Sequence, residues 1–307
     1  MVISALRRRA AVDAGFLACG VPGELMGYRR MLDHIGTNVP WAELFKDAER
    51  LARDGFPVSP ELEKMLKKNE PQIISDDVLC VAVEPALRRV LRDNVSVLAP
   101  PPPAGGILTE FMIAVMDSYR DPSAPAENSL VDDDTTIHRL IEVSKFAFAM
   151  RMEMGDPNHI DITAALRNLS SSSFLSEVRS KIKGSPYSSH SYYGLRYQGR
   201  ESKGSSQFVV LMPNGDALAL MSTLNKEFGA LAMSQSTGVL LNNQMDDFAT
   251  PGTRNSYGML PSPTNYIRPR KRPTSSMSPL IVAHSDGNAM MVASASGAFS
   301  ICTGLAQ

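Results

Sequence analysis

Three scarcities bound what this chain can be. Cysteine is rare: Cys19, Cys80 and Cys302 are an odd number with no CxxC or Cys/His spacing, so neither a disulfide framework nor a zinc site follows. Excess charge is missing too, with 31 Lys and Arg against 32 Asp and Glu. No overall field therefore favours nucleic acid or an anionic membrane, and a small molecule is the expected partner. The basic run Arg268 to Arg272 and the Arg7 to Arg9 cluster read as solvated loops. Long apolar runs are the third scarcity. None reaches membrane-spanning length, and in MVISALRRRAAV the basic residues follow the apolar ones, the reverse of a secretory signal. No metal and no cofactor is implied.

What is present is enough for a large folded body, with 307 residues of which 43% are hydrophobic. Pro22 and Gly23 stand before Leu25, Met26, Tyr28, Met31 and Leu32, which predicts a helix after a tight turn. Leu44, Ala48, Leu51 and Ala52 follow at helical spacing and stop at Gly55 and Pro57; Trp41 reads as a packing anchor, and a more charged helix is expected after Pro57. Four prolines, Pro100 to Pro103, hold an extended segment and read as a linker. Helices are predicted at Ile107 to Tyr119, at Thr136 to Met154 with Ile137, Leu140, Ile141, Phe148 and Met152 on one face, and at Ile162 to Ile182 as one element. His138 reads as structural. The Ser, Tyr and Gly-rich stretch from Gly184 to Ser206 is expected to be exposed and flexible, a plausible place for cleavage.

Beyond it the pattern turns to strands. Phe208 to Met212, a Pro213-Asn214-Gly215-Asp216 turn and Ala217 to Thr223 form one predicted hairpin, and a second has Ser285-Asp286-Gly287-Asn288 as its turn. Helices first and paired hairpins second predict an α+β architecture, helical layers on antiparallel sheets. Sequons at Asn94 and Asn168 matter only for a secreted protein. A conventional Ser/His/Asp hydrolase is disfavoured, because no GxSxG elbow exists and His190 or His284 would have to serve as base.

The ordered series VPGELMGY, VPWAELF, RDGFPV, PPPPAGG, HRLIEVSKFAFAMRMEMGDP, STLN, GVLLNNQMDDF and KRPTSSMSP resembles the gamma-glutamyltranspeptidases from about residue 18 to 304, most densely over 205–279. That resemblance implies an N-terminal nucleophile hydrolase with a four-layer αββα sandwich, incomplete here, in a truncated or divergent member. It divides the chain into a large-subunit-like part, 1–204, and a small-subunit-like part, 205–307, together one domain and a heterodimer once self-cleaved. The family's arginine-bearing segment is expected before Gly20, another near 92–100, and further strands and helices after Gln307.

Carried over position by position, self-cleavage falls between Gly204 and Ser205 and makes Ser205 the nucleophile. The freed α-amine, with an ordinary pKa of roughly 7.7 to 8.0, serves as its base. Thr223 matches the threonine that hydrogen-bonds the nucleophile. Asn225, Gln244 and Asp247 match positions holding the α-amino and α-carboxylate ends of a glutamyl group, Ser275 and Ser276 the serine pair on its carboxylate, and Tyr257 a lid aromatic. Gly297 and Ala298 match the oxyanion-hole glycines. Expected substrates are glutathione and other gamma-glutamyl compounds, with an amino acid, dipeptide or water as acceptor, at the outer face of the plasma membrane. Three departures stand out: serine for threonine at 205, Gln207 for histidine, and alanine at 298, where a positive φ would cost about 1 kcal/mol. They motivate the alternative of a non-catalytic binding protein.

Overall fold

The computed structural model describes residues 16–36, 38–57, 59–60, 87–91, 94–120, 134–199, 204–254 and 258–307. The charged helix expected after Pro57 and the lid residue Tyr257 lie outside the described residues. Two compact units emerge, Met1–Val83 with Ser222–Asp246, and Glu84–Met221 with Asp247–Gln307. Each interleaves sequence from both sides of the Gly204–Ser205 bond.

In the first unit, helix α1 (Glu24–Ile35) starts after the Pro-Gly turn and ends at Gly36, whose φ of 72° and N–H bond to the Leu32 carbonyl make a left-handed cap. A short 3-10 turn, Trp41–Phe45, leads into helix α2 (Lys46–Asp54). Trp41 packs edge-on to Phe45 at 4.9 Å, so it anchors its own turn. Ala18, Ala230, Ala232 and Leu241 form a small buried cluster. At its edge Gly229 has φ 55°, and a Cβ there would sit 1.8 Å from the Leu241 carbonyl oxygen, so no other residue fits.

The second unit carries an antiparallel sheet of strands β1 (Leu87–Val90), β2 (Ser96–Ala99), β5 (Leu280–Ala283) and β6 (Ala289–Ala293) in that spatial order. Helix α3 (Gly106–Asp117) is its centre and buries Ile107, Leu108, Phe111, Met112 and Val115. Helices α4 (Asp134–Arg151), α5 (Thr163–Ser170), α6 (Ser172–Lys181) and α7 (Ser300–Ala306) pack around it. Strands β3 (Gly204–Leu211) and β4 (Ala217–Asn225) make a separate hairpin. Both predicted hairpins form, with Gly215 and Gly287 at φ near 90° in their turns.

Five expectations need correction. The proline run is no linker: Pro102 is buried, and the Gly105 N–H donates to the Met277 carbonyl at 2.9 Å. The predicted 162–182 helix is two helices. Ser171 is extended and its hydroxyl accepts the Phe174 N–H at 3.1 Å, because a serine run favours capping over helix interior. Helix α4 turns inward the stripe of Val143, Phe146 and Ala147, leaving Ile137 and Ile141 about half exposed; an apolar helix offers two stripes, and α3 selects one.

The Tyr-rich stretch is partly packed. Tyr187 and Tyr192 stack at 3.8 Å, and the buried Tyr193 donates its hydroxyl hydrogen to Glu142 Oε2 at 2.8 Å while Lys145 donates to Oε1 at 2.5 Å. Glu142, with no solvent exposure, is thus bonded at both oxygens. Finally, the basic 268–272 run is not simply solvated. Lys271 is buried and donates to the Tyr266 carbonyl at 2.9 Å, and Arg272 pairs with Asp156 at 2.9 Å.

A second buried carboxyl is less well served. Glu110 on α3 lies 3.9 Å from Arg89 Nε on β1, and Arg89 also donates to the Leu169 carbonyl at 2.6 Å. Burial pushes Glu110 from 4.5 up to about 7, with the Arg89 charge opposing the shift. The folded carboxyl therefore keeps its proton to about pH 7 while the unfolded chain loses it near 4.5. The stability it contributes is complete below the lower value and is lost as pH rises through the higher one. Thermal unfolding between pH 4.5 and 8 is expected to show this loss, at most about 3 kcal/mol. Glu110→Gln removes it; an identical pH profile in the variant would contradict the assignment.

Candidate active site

Ser205 is the second residue of β3 and is half-buried. Strand β3 lies beside β6, and the Ser296 hydroxyl just past β6 donates to the Ser205 carbonyl at 3.1 Å. That bond ties the proposed nucleophile's backbone to the residue preceding Gly297 and Ala298. Gly297 has φ 128° and Ala298 φ 57°, so both sit where L-residues are disfavoured. A Cβ on Gly297 would lie 2.6 Å from Ser300 Oγ. Among the described residues neither the Gly297 nor the Ala298 N–H meets an acceptor. Two such amides in a turn are chemically able to receive an oxyanion.

The serine pair is held by the proline loop. The Ser275 N–H donates to the Pro103 carbonyl at 2.9 Å, and Ser275 Oγ accepts the Met277 N–H at 3.2 Å. Ser276 is buried, and its carbonyl accepts the Ser278 hydroxyl at 3.1 Å. Gly105 is wedged between these and α7: a Cβ there would come 2.7 Å from Ser278 Oγ and 2.9 Å from Cys302 Sγ. Burial pushes the Cys302 thiol up, which makes it a packing group here. Gly105, Ser278 and Cys302 were not identified as site supports by the sequence; the only signal was the glycine pair Gly105-Gly106, one residue past the prolines.

Asp247 is buried, and its carbonyl accepts the Asn265 amide at 2.7 Å. Its charge acts on Arg151, the buried last residue of α4. Burial pushes the Arg151 guanidinium down, and the nearby Asp247 and Cys302 act in the opposite direction. The same guanidinium lies 4.9 Å from the Phe299 ring centroid, directly after Ala298. Arg151 thus lies within the influence of Asp247 and against the ring next to the Gly297–Ala298 turn, a position no local motif advertised.

The other matched residues belong to the first unit. Thr223 Oγ1 accepts the Asn225 N–H at 2.9 Å. Asn225 has φ 69° and donates its amide to the Asn243 carbonyl at 2.9 Å, while its buried Oδ1 meets no donor among the described residues. The Gln244 N–H donates to Asn242 Oδ1 at 2.9 Å, and Lys226 pairs with Asp246 at 3.1 Å. Ser205, Asp247, Ser275, Ser276, Gly297 and Ala298 thus lie in one unit and Thr223, Asn225 and Gln244 in the other.

The turn makes opposite demands on its two residues. Ala298→Gly should stabilise the fold by about 1 kcal/mol, since glycine adopts positive φ without a Cβ clash. Gly297→Ala should destabilise it. Denaturant midpoints of the two variants check this, and equal small shifts in one direction would refute it.

A family model described as Gamma-glutamyltranspeptidase matches residues 4–80 and 79–307. The chain is 28% identical to glutathione hydrolase 3 of Arabidopsis thaliana over 97% of its own length and 56% of the relative's. It is 29% identical to glutathione hydrolase 2 of the same plant, over 95% of this chain and 61% of that one. Glutathione hydrolase proenzyme 1 of Schizosaccharomyces pombe is 27% identical, over 95% and 56%. The chain thus spans little more than half the length of these relatives. With the motif series and the family match running along nearly its whole sequence, the chain belongs to the gamma-glutamyltranspeptidase family.

Proposed function

We propose that the protein is a gamma-glutamyl hydrolase or transferase that works through an ester on Ser205 after cutting itself at Gly204–Ser205. The observation that carries this reading is the Ser296 bond to the Ser205 carbonyl, which sets β3 beside a turn with two open amides. The fold proposed for the working enzyme is the four-layer αββα sandwich of N-terminal nucleophile hydrolases, of which the α+β unit with its sheet is a part.

In the first step the Ser205 hydroxyl attacks the Gly204 carbonyl carbon. The C–N bond breaks, an ester to Oγ forms, and the nitrogen leaves as the Ser205 α-amine with the hydroxyl proton. Water then hydrolyses the ester, leaving a Gly204 carboxylate and a free amine next to the hydroxyl. In turnover that amine takes the Ser205 proton as Oγ attacks the γ-carbonyl of glutathione or another gamma-glutamyl compound, and passes it to the departing amine. Developing negative charge on the carbonyl oxygen falls to the Gly297 and Ala298 amides. Water, an amino acid or a dipeptide resolves the acyl-enzyme. Asp247 suits the substrate ammonium, while Ser275 and Ser276 offer hydroxyls to its carboxylate. No cofactor enters this chemistry, the two cleavage products form the heterodimer, and the location proposed is the outer face of the plasma membrane.

Intact mass and N-terminal sequencing of the purified chain are expected to give two fragments, one beginning at Ser205. A gamma-glutamyl chromogenic substrate is expected to be turned over, slowly because serine lacks the methyl that restricts χ1. Ser205→Ala should abolish both. Ala298 at a positive φ favours a second reading, a binding protein without turnover; a permanently uncut chain with no release from the substrate would establish it.

A further inference from the structure

We propose that the cavity between the end of α3, the start of α4 and the end of α6 is a binding site for a small, multiply charged oxyanion, separate from the Ser205 region. Its volume is about 440 Å³, within the range that holds a small ligand. Tyr119, His138, Arg139, Arg179 and Lys183 line it, and no carboxylate stands among its described lining residues.

The two guanidiniums are the central observation. Arg139 and Arg179 lie over the Tyr119 ring, 4.3 and 4.8 Å from its centroid. Neither has a carboxylate partner among the described residues: Glu142, three residues after Arg139, is bonded to Lys145 at 2.5 Å and Tyr193 at 2.8 Å, and Glu177, two before Arg179, pairs with Lys181 at 2.6 Å. Stacking on one ring orients both planar forks before any ligand arrives, and each fork matches an oxyanion with two parallel N–H bonds.

The end of a helix would ordinarily repel an anion through its unsatisfied carbonyls. Here those oxygens are covered. Tyr119 Oη donates to the Arg179 carbonyl at 3.1 Å, and Lys183 Nζ to the Ser180 carbonyl at 2.5 Å. Tyr192 Oη donates to the Lys181 carbonyl at 2.6 Å, and His138 Nε2 sits 2.6 Å from the Lys183 carbonyl, a geometry that requires the proton on Nε2. With the carbonyls quenched, what the cavity presents is the positive charge of Arg139, Arg179 and Lys183. Two forks and an ammonium fit a ligand bearing two or more negative oxygens, from a phosphoryl compound or a polycarboxylate.

Calorimetric titration of the purified full chain with inorganic pyrophosphate, inorganic phosphate and citrate, at fixed ionic strength in chloride, tests this. Saturable binding of pyrophosphate or citrate is expected, and the tighter of the two identifies the phosphoryl or the carboxylate source. Arg139→Gln and Arg179→Gln should each weaken it about tenfold or more, while Lys181→Gln, whose ammonium is paired with Glu177, should not. If a glutamine variant loses its far-UV dichroism, Arg139→Lys and Arg179→Lys replace it. These keep the charge but lose the fork and should weaken binding several-fold. Absence of saturable heat with all three anions, or equal affinity in wild type and arginine variants, overturns the proposal.

Discussion

The second unit depends on the close approach of backbone at Gly105 and Gly106. A Cβ on Gly106 would meet the Pro100 carbonyl at 2.3 Å and the Ala99 side chain at 2.8 Å. Helix α3 therefore starts in direct contact with strand β2, and only hydrogen at these two positions permits it. From that contact the rest follows in order. Helix α3 becomes the buried axis, α7 can lie against it through Cys302, and the Ser275–Ser278 segment is pinned by Pro103 and Gly105. The site is built on the seam where helix meets sheet.

Its buried charges are held in three different ways. Glu142 has a donor for each oxygen, so its burial costs little. Glu110 has only a distant arginine and favours its neutral form. Arg151 has its compensation in Asp247 and an aromatic face. Only the last touches residues of the proposed chemistry, through the charge of Asp247 and the ring that follows Ala298.

Much of this was legible in the linear sequence wherever the cue was local. Asn214-Gly215 and Asp286-Gly287 between apolar runs announced both hairpins, and Gly55 announced a helix end. Position-by-position resemblance named Ser205, Ser275, Ser276, Asp247 and the Gly297–Ala298 turn as candidates, and all of these fall in the second unit. Features set by distant partners were hidden. Which stripe of α4 faces inward depends on α3, and whether four prolines form a linker or a clasp depends on Met277 and Ser275, far along the chain. Ser171 was a local cue misread, since a serine inside an apolar pattern can cap a new helix as readily as ride within an old one.

The interleaving of the two units has a consequence for how the chain must fold. The second unit needs Glu84–Met221 and Asp247–Gln307, with Ser222–Asp246 given to the other in between. Its sheet pairs Ser96 with Ala283, so a strand made early waits for one made near the end of synthesis. Such high contact order makes folding slow and leaves strand edges open meanwhile. No single continuous stretch contains either unit, so fragments cut from one end of the gene inherit half a sheet.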